Sequence, residues 1–398
     1  MSSRDQLSRW LLLSCLIILG IGQSFIFTSL PPIGREIGLS DVRISTLITA
    51  GAITFVIAAF FWGGLINRIG RVRSVIFGMT SYAMTIAATG WVLQKALSHQ
   101  LTAEQTYYWT FVLRVLFALG IAGIMPSIQT YLIAHSDIAN RSSSIAMIGA
   151  SFSIGMIMGP AFASFASGLG LTAPFYIIGL LAGVAGMLVL VLVIDTKHVR
   201  QRVKQMKIRW LKEPVLPFFA MSVFCILAIT GVQQIMSFLI QDRFHLDVAE
   251  TTHLLGFVMM TMSGFSILVQ MFLVPRFQIG VVTLIFTGVS VGLIAMLCFI
   301  IFDTYLSILI AMGLFGTGMG FLFPGVITAQ TLLVKDDQQS RLASMNASMQ
   351  GLGAALGPVA LASLYQIGEY APFFALIAGM LLLCITFVYC RSKLGYQF

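Results

Sequence analysis

One ionisable side chain, Arg114, lies well inside a long run of apolar residues. A guanidinium is costly to bury in apolar surroundings, so such a residue is a functional candidate by default. It could bind an anionic group of a ligand, or it could repel a proton from a nearby acid. Trp109 is only five residues away, which is about 7–8 Å along a helix. The side chain could therefore extend instead to the outer edge of the apolar run.

Uncharged amide side chains also occur inside the apolar runs. An amide facing lipid is unfavourable, so these groups should either line an interior pathway or hydrogen-bond neighbouring helices. They are Gln23, Gln129, Gln233, Gln234, Gln330, Asn346 and Gln350. Most of them, with Arg114 and three apolar neighbours, form a predicted interior cavity. Its members are Gln23, Phe27, Arg114, Met125, Gln129, Gln233, Gln234, Phe238, Asn346 and Gln350.

Carboxylates are absent from the depth of the apolar runs. Glu36 and Asp242 are among the acids near the span ends. Either could exchange a proton if the apolar helices extend further than hydropathy indicates; otherwise they are solvated loop charges. The five histidines are scattered, and no metal-binding or phosphate-binding motif is found. We therefore predict no catalytic residues, no metal site and no cofactor, and an enzyme is disfavoured.

The bulk composition is that of an integral membrane protein. The chain of 398 residues is 58% hydrophobic and 9% charged, whereas soluble domains carry about 25% charged residues. Its net charge of +9 comes from short loops between apolar segments, which argues for membrane orientation rather than nucleic-acid binding. The five cysteines lie in apolar segments without metal-ligand spacing, so we expect them to be packing residues.

Twelve apolar windows are long enough to cross a bilayer as helices. They are continuous runs rather than short alternating ones, which excludes a β-barrel. The first has no cleavage site after it and is interpreted as a retained span rather than a signal peptide. Spans 1 to 12 are predicted at 10–31, 44–66, 74–94, 107–133, 142–167, 173–194, 215–240, 253–274, 280–302, 305–333, 342–366 and 371–390.

The positive charges indicate an orientation. With the N-terminus inside, eighteen Lys and Arg residues fall on the inner side and four on the outer side. Such an excess of Lys and Arg is typical of cytoplasmic loops. We therefore predict a multi-pass membrane protein with both termini in the cytoplasm.

A short glycine–proline motif, which we call the glycine–proline phrase, occurs twice, 198 residues apart. Gly155, Gly159 and Pro160 correspond to Gly353, Gly357 and Pro358. Earlier landmarks match at an offset of 210, among them Gln23 with Gln233 and Gly78 with Gly288. Glycines four residues apart share one helix face and allow close approach of a neighbouring helix, so the phrase predicts a tight packing surface.

The matched landmarks predict an all-α membrane fold of two parallel six-helix repeats. The N-terminal bundle is 1–194 and the C-terminal bundle is 215–398, joined by a basic linker at 195–214. That linker could be an amphipathic helix on the membrane surface or a plain charged connection.

This organisation resembles the major facilitator superfamily, and local phrases agree. Gly63, Arg68, Gly70 and Arg71 match that superfamily's signature loop between spans 2 and 3, with Asn67 at the acidic position. The resemblance implies a gating latch between helix ends. Gly63 and Gly70 would permit a tight turn, and Asn67 could cap a helix by accepting a hydrogen bond.

Two further phrases carry the resemblance. The stretch from Arg114 is similar to the embedded-arginine motif of span 4, with Phe117 and Ala118 replacing its usual glutamine and glycine. The stretch from Gly155 resembles the antiporter motif of drug–proton exporters, whose closing glycine pair is Ala163 and Ser164 here.

The resemblance implies a monomeric transporter that works in the lipid bilayer by alternating access. It implies export of a small organic molecule, a drug, siderophore or metabolite, in exchange for protons. The alternative is a metabolite uptake symporter or facilitator of the same fold.

The signature loop generates a first prediction. If Arg68 forms part of a latch, Arg68→Ala should reduce transport while the variant remains folded, because the latch loses a charged contact. Transport measured in vesicles at matched expression, with folding checked by size-exclusion chromatography, tests this. Unchanged transport by a well-folded Arg68→Ala variant would remove the latch role.

Overall fold

The structure is a computed structural model that describes residues 3–135, 141–194, 215–334 and 339–393. Within these ranges every regular element is a helix. The predicted basic linker at 195–214 lies outside the described residues.

Among the described residues there are twelve candidate membrane spans, each long and apolar enough to cross a bilayer. The prediction of twelve spans in an all-helical membrane fold is therefore confirmed. The helices are Ser3–Glu36, Asp41–Ile69, Arg71–Leu97, Ala103–Ile121, Ile124–Ala134, Arg141–Ala166, Ala173–Leu192, Leu216–Phe244, Val248–Leu268, Val274–Phe277, Val281–Ile301, Tyr305–Leu332, Gln339–Ile367 and Ala371–Lys393. Span 4 combines the two helices of Ala103–Ala134, and span 8 combines those of Val248–Phe277.

Two helices extend beyond their hydropathic windows. Span 1 runs through Pro31 and Pro32 to Glu36, and span 7 runs to Phe244. Glu36 and Asp242 consequently belong to span helices rather than to loops. Either carboxylate was expected to be able to exchange protons only if its helix extends further than hydropathy indicates. Both helices do extend that far.

Span 8 contains a π-helical turn, Val269–Leu273. The turn precedes Pro275, which has no backbone N–H and cannot donate to the carbonyl four residues earlier. The amide of Val274 donates to Val269 O, five residues back, and so closes the wider turn. The proline is thus accommodated by a local π-helix, as is common inside long helices.

The chain groups into two compact units. The first comprises Met1–Met206 with Asp247–Gly256, and the second comprises Lys207–Leu246 with Phe257–Phe398. The start of span 8 therefore belongs to the first unit.

In the first unit, spans 1 and 5 are joined by a close contact that we call the first glycine seam, formed by Gly20, Gly155 and Gly159. A methyl group on Gly155 would lie 2.1 Å from Ile17 O, and one on Gly159 would lie 1.9 Å from Ser24 Oγ. A methyl group on Gly20 would in turn lie 2.4 Å from Phe152 O. Only glycine permits these backbones to approach so closely.

The second unit repeats this contact between spans 7 and 11, in a second glycine seam formed by Gly353 and Gly357. A methyl group on Gly353 would lie 2.5 Å from Val223 O, and one on Gly357 would lie 2.3 Å from Thr230 Oγ1. The duplicated phrase therefore has the same packing role in each unit.

The two seams also correct the predicted alignment of spans 1 and 7. The partner residues Ile17 and Val223 are 206 positions apart, as are Ser24 and Thr230, whereas the sequence match of Gln23 with Gln233 used 210. The difference of four residues is about one helical turn. By packing, Gln233 corresponds to Phe27, so the predicted equivalence of Gln23 and Gln233 is wrong.

Spans 3 and 4 keep the predicted offsets. A methyl group on Gly78 would meet Ile124 Cγ1 at 2.4 Å, and one on Gly288 would meet Leu322 at 2.6 Å. The first residues of these two pairs are 210 positions apart, and the second residues are 198 apart. The slip between spans 1 and 7 therefore does not extend to spans 3 and 4 and their counterparts, spans 9 and 10.

The first glycine seam yields a stability prediction. Gly159→Ala should destabilise the protein by about 1–3 kcal/mol, the usual cost of overpacking, because a methyl group there meets Ser24 Oγ and Ile21 O. Thermal unfolding in detergent measures the effect.

Gly149→Ala on the same helix is the matched control, because nothing lies within 4 Å of a methyl group at Gly149. Alanine is a better helix former than glycine, so the control should unfold at an unchanged or higher temperature. Equal unfolding temperatures for the two variants would contradict the proposed role of the seam.

Candidate functional site

Arg114 is buried inside the first unit, with 5% of its surface exposed. Its guanidinium carbon lies 5.2 Å from the centre of the Phe117 ring. A methyl group on Gly51 in span 2 would lie 2.9 Å from its Nη2 atom. The arginine therefore lies among helices and does not extend to an outer surface, which excludes the interfacial alternative.

The buried guanidinium is incompletely hydrogen-bonded. Its Nε and Nη1 atoms have no partner among the described residues. Thr110, one turn earlier on the same helix face, is fully buried and its hydroxyl also has no partner there. Buried polar groups without partners are uncommon, so this face of span 4 is a candidate binding site.

Tyr82 connects this region to span 1, a contact that the sequence analysis missed. Its ring meets Phe117 edge-on, with the ring centres 5.2 Å apart. Its hydroxyl donates to Ile18 O at 3.2 Å, and a methyl group on Gly22 would lie 1.4 Å from that hydroxyl. A tyrosine in an apolar span needs a partner for its hydroxyl, and that need was the available signal.

The other cavity residues predicted in the first unit are only partly buried. They are Gln23, Phe27, Met125 and Gln129. No hydrogen bond described for the structure joins any of them to Arg114. Their membership of one cavity with Arg114 remains a prediction.

In the second unit, one face of span 7 carries a row of buried polar atoms. Gln234 is fully buried, and neither its nitrogen nor its oxygen has a partner among the described residues. The hydroxyl of Ser237 and the side-chain oxygen of Gln241 likewise have none there. Spacings of three and seven residues keep these groups on one face. Phe238 adds a ring, its centre 6.1 Å from that of Tyr365.

The remaining amides behave differently from one another. Asn346 is buried, and its Oδ1 atom has no partner among the described residues, while Gln233 and Gln350 are partly buried. Gln330 instead ties span 10 to span 7, because its Nε2 atom donates to Phe218 O and to Ser222 Oγ, both at 2.8 Å. For Gln330 the interhelical hydrogen bond is therefore the observed role.

The loop between spans 2 and 3 is shorter than predicted. Gly70 alone separates the two helices and adopts a φ of 92°, where glycine is favoured. Gly63 lies within the span 2 helix, so its predicted role in a tight turn is wrong.

The side chains around this loop have different environments. Asn67 Nδ2 donates to Gly63 O at 3.3 Å, and the helix of span 3 begins without a side-chain cap. The predicted capping by Asn67 is therefore wrong, because its amide turns back along its own helix. Arg68 is exposed, whereas Arg71 is buried.

Within the first unit, the residues around Pro160 on span 5 also contact the start of span 8. Ser164 Oγ donates to His253 O at 3.2 Å. A methyl group on Gly256 would lie 2.5 Å from Ser164 Cβ and 2.9 Å from Pro160 O. Ser164, which replaces a glycine of the antiporter motif, thus supplies a hydrogen bond that glycine lacks.

Charged residues at the helix ends are paired, which the sequence analysis did not foresee. Arg243 contacts Glu369, lies 3.2 Å from Asp303 and donates to Phe299 O at 2.9 Å. Its neighbour Asp242 accepts a hydrogen bond from Tyr365 Oη at 2.7 Å. These partners come from spans far apart in sequence, so local spacing could not identify them.

Comparison with protein families gives a match to the Major Facilitator Superfamily over residues 12–331 and 278–393. The chain therefore belongs to this superfamily and is a membrane transporter rather than an enzyme.

Its curated relatives include Multidrug resistance protein 2 of Bacillus subtilis, 23% identical over 96% of this chain and 95% of the relative. Quinolone resistance protein NorA of Staphylococcus aureus is 21% identical, covering 96% of each chain.

Solved structures share the fold. A bacterial homologue of the human lysosomal transporter Spinster, inward-facing and occupied, superimposes with a TM-score of 0.77 at 14% identity, over 98% of this chain and 97% of the other. The nucleoside transporter NupG gives 0.72 at 15% identity, covering 100% of both chains. At these identities the likeness concerns the fold alone.

Two glutamines provide a matched test of the polar row. Gln234→Leu should raise the unfolding temperature, because it removes a buried amide that has no described partner. Gln330→Leu should lower stability by about 1 kcal/mol, because it removes hydrogen bonds to Phe218 and Ser222. Thermal unfolding of both purified variants decides between these expectations. Equal destabilisation would mean that Gln234 is a structural tie like Gln330.

Proposed function

We propose that this transporter exports small organic molecules, such as a drug, siderophore or metabolite, in exchange for protons. The observation that carries the proposal is the first glycine seam, in which the antiporter-like phrase of Gly155, Gly159 and Pro160 holds span 5 against span 1. The names of the curated relatives, multidrug and quinolone resistance proteins, support the same direction of transport.

Alternating access requires two bodies that move around a site near the midplane. The division into two compact units supports this mechanism. We propose 1–194 and 215–398 as the moving halves and 195–214 as their connection. The cavity would be lined by the predicted residues of spans 1, 4, 7 and 11, with Arg114 and Gln234 as its buried polar members.

The seam's continuation supports a sealing role for the antiporter-like phrase. Close packing at Gly155 and Gly159 excludes water along the helix pair, and the Ser164 hydrogen bond extends the contact to His253. A transporter that exchanges cargo for protons must prevent proton leak, and a continuous, side-chain-free contact suits that need. The counterpart at Gly353, Gly357 and Pro358 would have the same role on span 7.

Proton coupling requires a group that gains and loses a proton during the cycle. Asp242 is our first candidate, because it lies in the span 7 helix and accepts a hydrogen bond from Tyr365. Protonation of Asp242 would remove the negative charge that strengthens this hydrogen bond. Glu36, exposed at the end of the span 1 helix, is the second candidate.

The site of action that we propose is a bacterial inner membrane. Both termini would lie in the cytoplasm and the protein would act as a monomer. The uptake alternative has no structural observation in its favour, because the likeness to the nucleoside transporter concerns the fold alone.

Inverted membrane vesicles test the proposal. Vesicles that contain the protein should accumulate a quinolone or lipophilic dye when their interior is acidified, since export becomes uptake in this orientation. Collapse of the pH gradient should abolish accumulation, and vesicles without the protein control for passive partition. Accumulation that ignored the gradient would eliminate proton exchange, and failure with every cargo would overturn drug export.

A further inference from the structure

The buried guanidinium of Arg114 lacks a counter-charge within the described part of the first unit. Asp41 pairs with Arg35, and Glu104 contacts Arg43. Glu36 and Glu250 are exposed, and Asp247 accepts a hydrogen bond from a backbone amide. These five, the carboxylates of the first unit whose side chains are described, lie at helix ends. Arg114 is ten residues beyond Glu104, about 15 Å further along span 4.

A second donor lies beside the arginine. The hydroxyls of Thr85, Thr89 and Thr106 each donate to the carbonyl four residues earlier, which is the usual way for a helical threonine to satisfy itself. Thr110 is fully buried but its hydroxyl makes no such bond. Thr110 and Arg114 are one turn apart, so two sets of unused donors share one face of span 4.

The neighbouring residues position the guanidinium but do not accept hydrogen bonds from its Nε and Nη1 atoms. Gly51 provides the space for Nη2, because even a methyl group there would approach to 2.9 Å. The Phe117 ring flanks the cation and contributes attraction without accepting a hydrogen bond in the plane of the guanidinium. Nε and Nη1 consequently keep their hydrogens available, and each can donate a charge-assisted hydrogen bond to an anion.

The described residues offer no comparable buried site for a cationic ligand. Among residues whose burial is described, the only buried charged side chains are Arg71 and Arg114, and none is an Asp or Glu. In the second unit the buried atoms without described partners belong to uncharged groups, Gln234, Ser237 and Asn346 among them. A cationic head group would find no buried carboxylate, whereas an anionic head group would find a guanidinium.

We propose that Arg114 and Thr110 form an anion-binding site that takes the carboxylate of the transported molecule, so that the cargo is an amphipathic organic acid. This inference rests on the proposed export function. Arg114 donates a charge-assisted hydrogen bond to the carboxylate, and Thr110 donates a second hydrogen bond. A free halide ion carries the same negative charge, so the test distinguishes halide binding from binding of the cargo carboxylate.

Three fluorescent probes that share one ring system test the charge preference. They are pyrenebutyrate, pyrenebutanol and pyrenebutyl-trimethylammonium, which differ in head-group charge. Purified protein in detergent should bind pyrenebutyrate about tenfold or more tightly than the other two, as expected for charge-assisted hydrogen bonds. Titration should be repeated in chloride and in gluconate. Equal binding of all three probes, or a preference for the cation, overturns the proposal, and loss of pyrenebutyrate binding in chloride alone identifies a halide site.

Variants then test whether Arg114 and Thr110 cause the preference for the anionic probe. Arg114→Gln and Thr110→Val should each weaken pyrenebutyrate binding while leaving pyrenebutanol binding unchanged, with the larger loss for Arg114→Gln. Gly51→Ala should weaken the same binding with the charge retained, because the new methyl group displaces Nη2. Arg276→Gln is the control, since Arg276 is exposed. Retention of the anion preference in Arg114→Gln would disprove the assignment.

Vesicle transport distinguishes this inference from the export proposal. If inverted vesicles transport pyrenebutanol or the cationic probe with a pH gradient but do not prefer pyrenebutyrate, export stands and the anion site fails. If pyrenebutyrate binds through Arg114 but is not accumulated, the anion site stands and export of this cargo class fails. Both measurements use the full chain.

Discussion

The requirement to satisfy every backbone polar group without water governs this protein. In a bilayer only helices and closed barrels meet that requirement, and the twelve spans meet it as helices. Lipid is as apolar as leucine, so helices gain little from burying apolar surface and instead depend on close contact. The glycine seams at Gly155 and Gly159 and at Gly353 and Gly357 supply that contact.

The same requirement makes the exceptions informative. Many buried hydroxyls here, such as those of Thr85 and Thr89, bond to a carbonyl of their own helix, whereas Gln330 and Ser164 join helices. Arg114, Thr110 and Gln234 are buried without full use of their donors and acceptors. Leaving such groups unsatisfied opposes folding, which is why we propose Arg114, Thr110 and Gln234 as groups that contact the transported molecule.

Much of the fold could be predicted, and less of the site. Hydropathy located twelve spans, but helix ends were misjudged where polar residues such as Glu36 and Asp242 continue a helix. Gln23 was aligned with Gln233, although the seams pair Phe27 with Gln233. A shift of four residues keeps the same helix face, so a sequence pattern of polar and small residues cannot detect it. Asn67 was expected to cap a helix, but its own carbonyl ladder offered a nearer partner.

The sequence by itself determined the number of spans, the duplication and the location of one deep cation, because these depend on local composition and on spacing along the chain. Only the tertiary structure decided which groups meet. The placement of Gly51 beside Arg114, the bond from Tyr82 to span 1 and the contact of Arg243 with Glu369 join residues distant in sequence. Such contacts depend on how far each helix is rotated and shifted against its neighbour, and packing across the whole bundle sets both quantities.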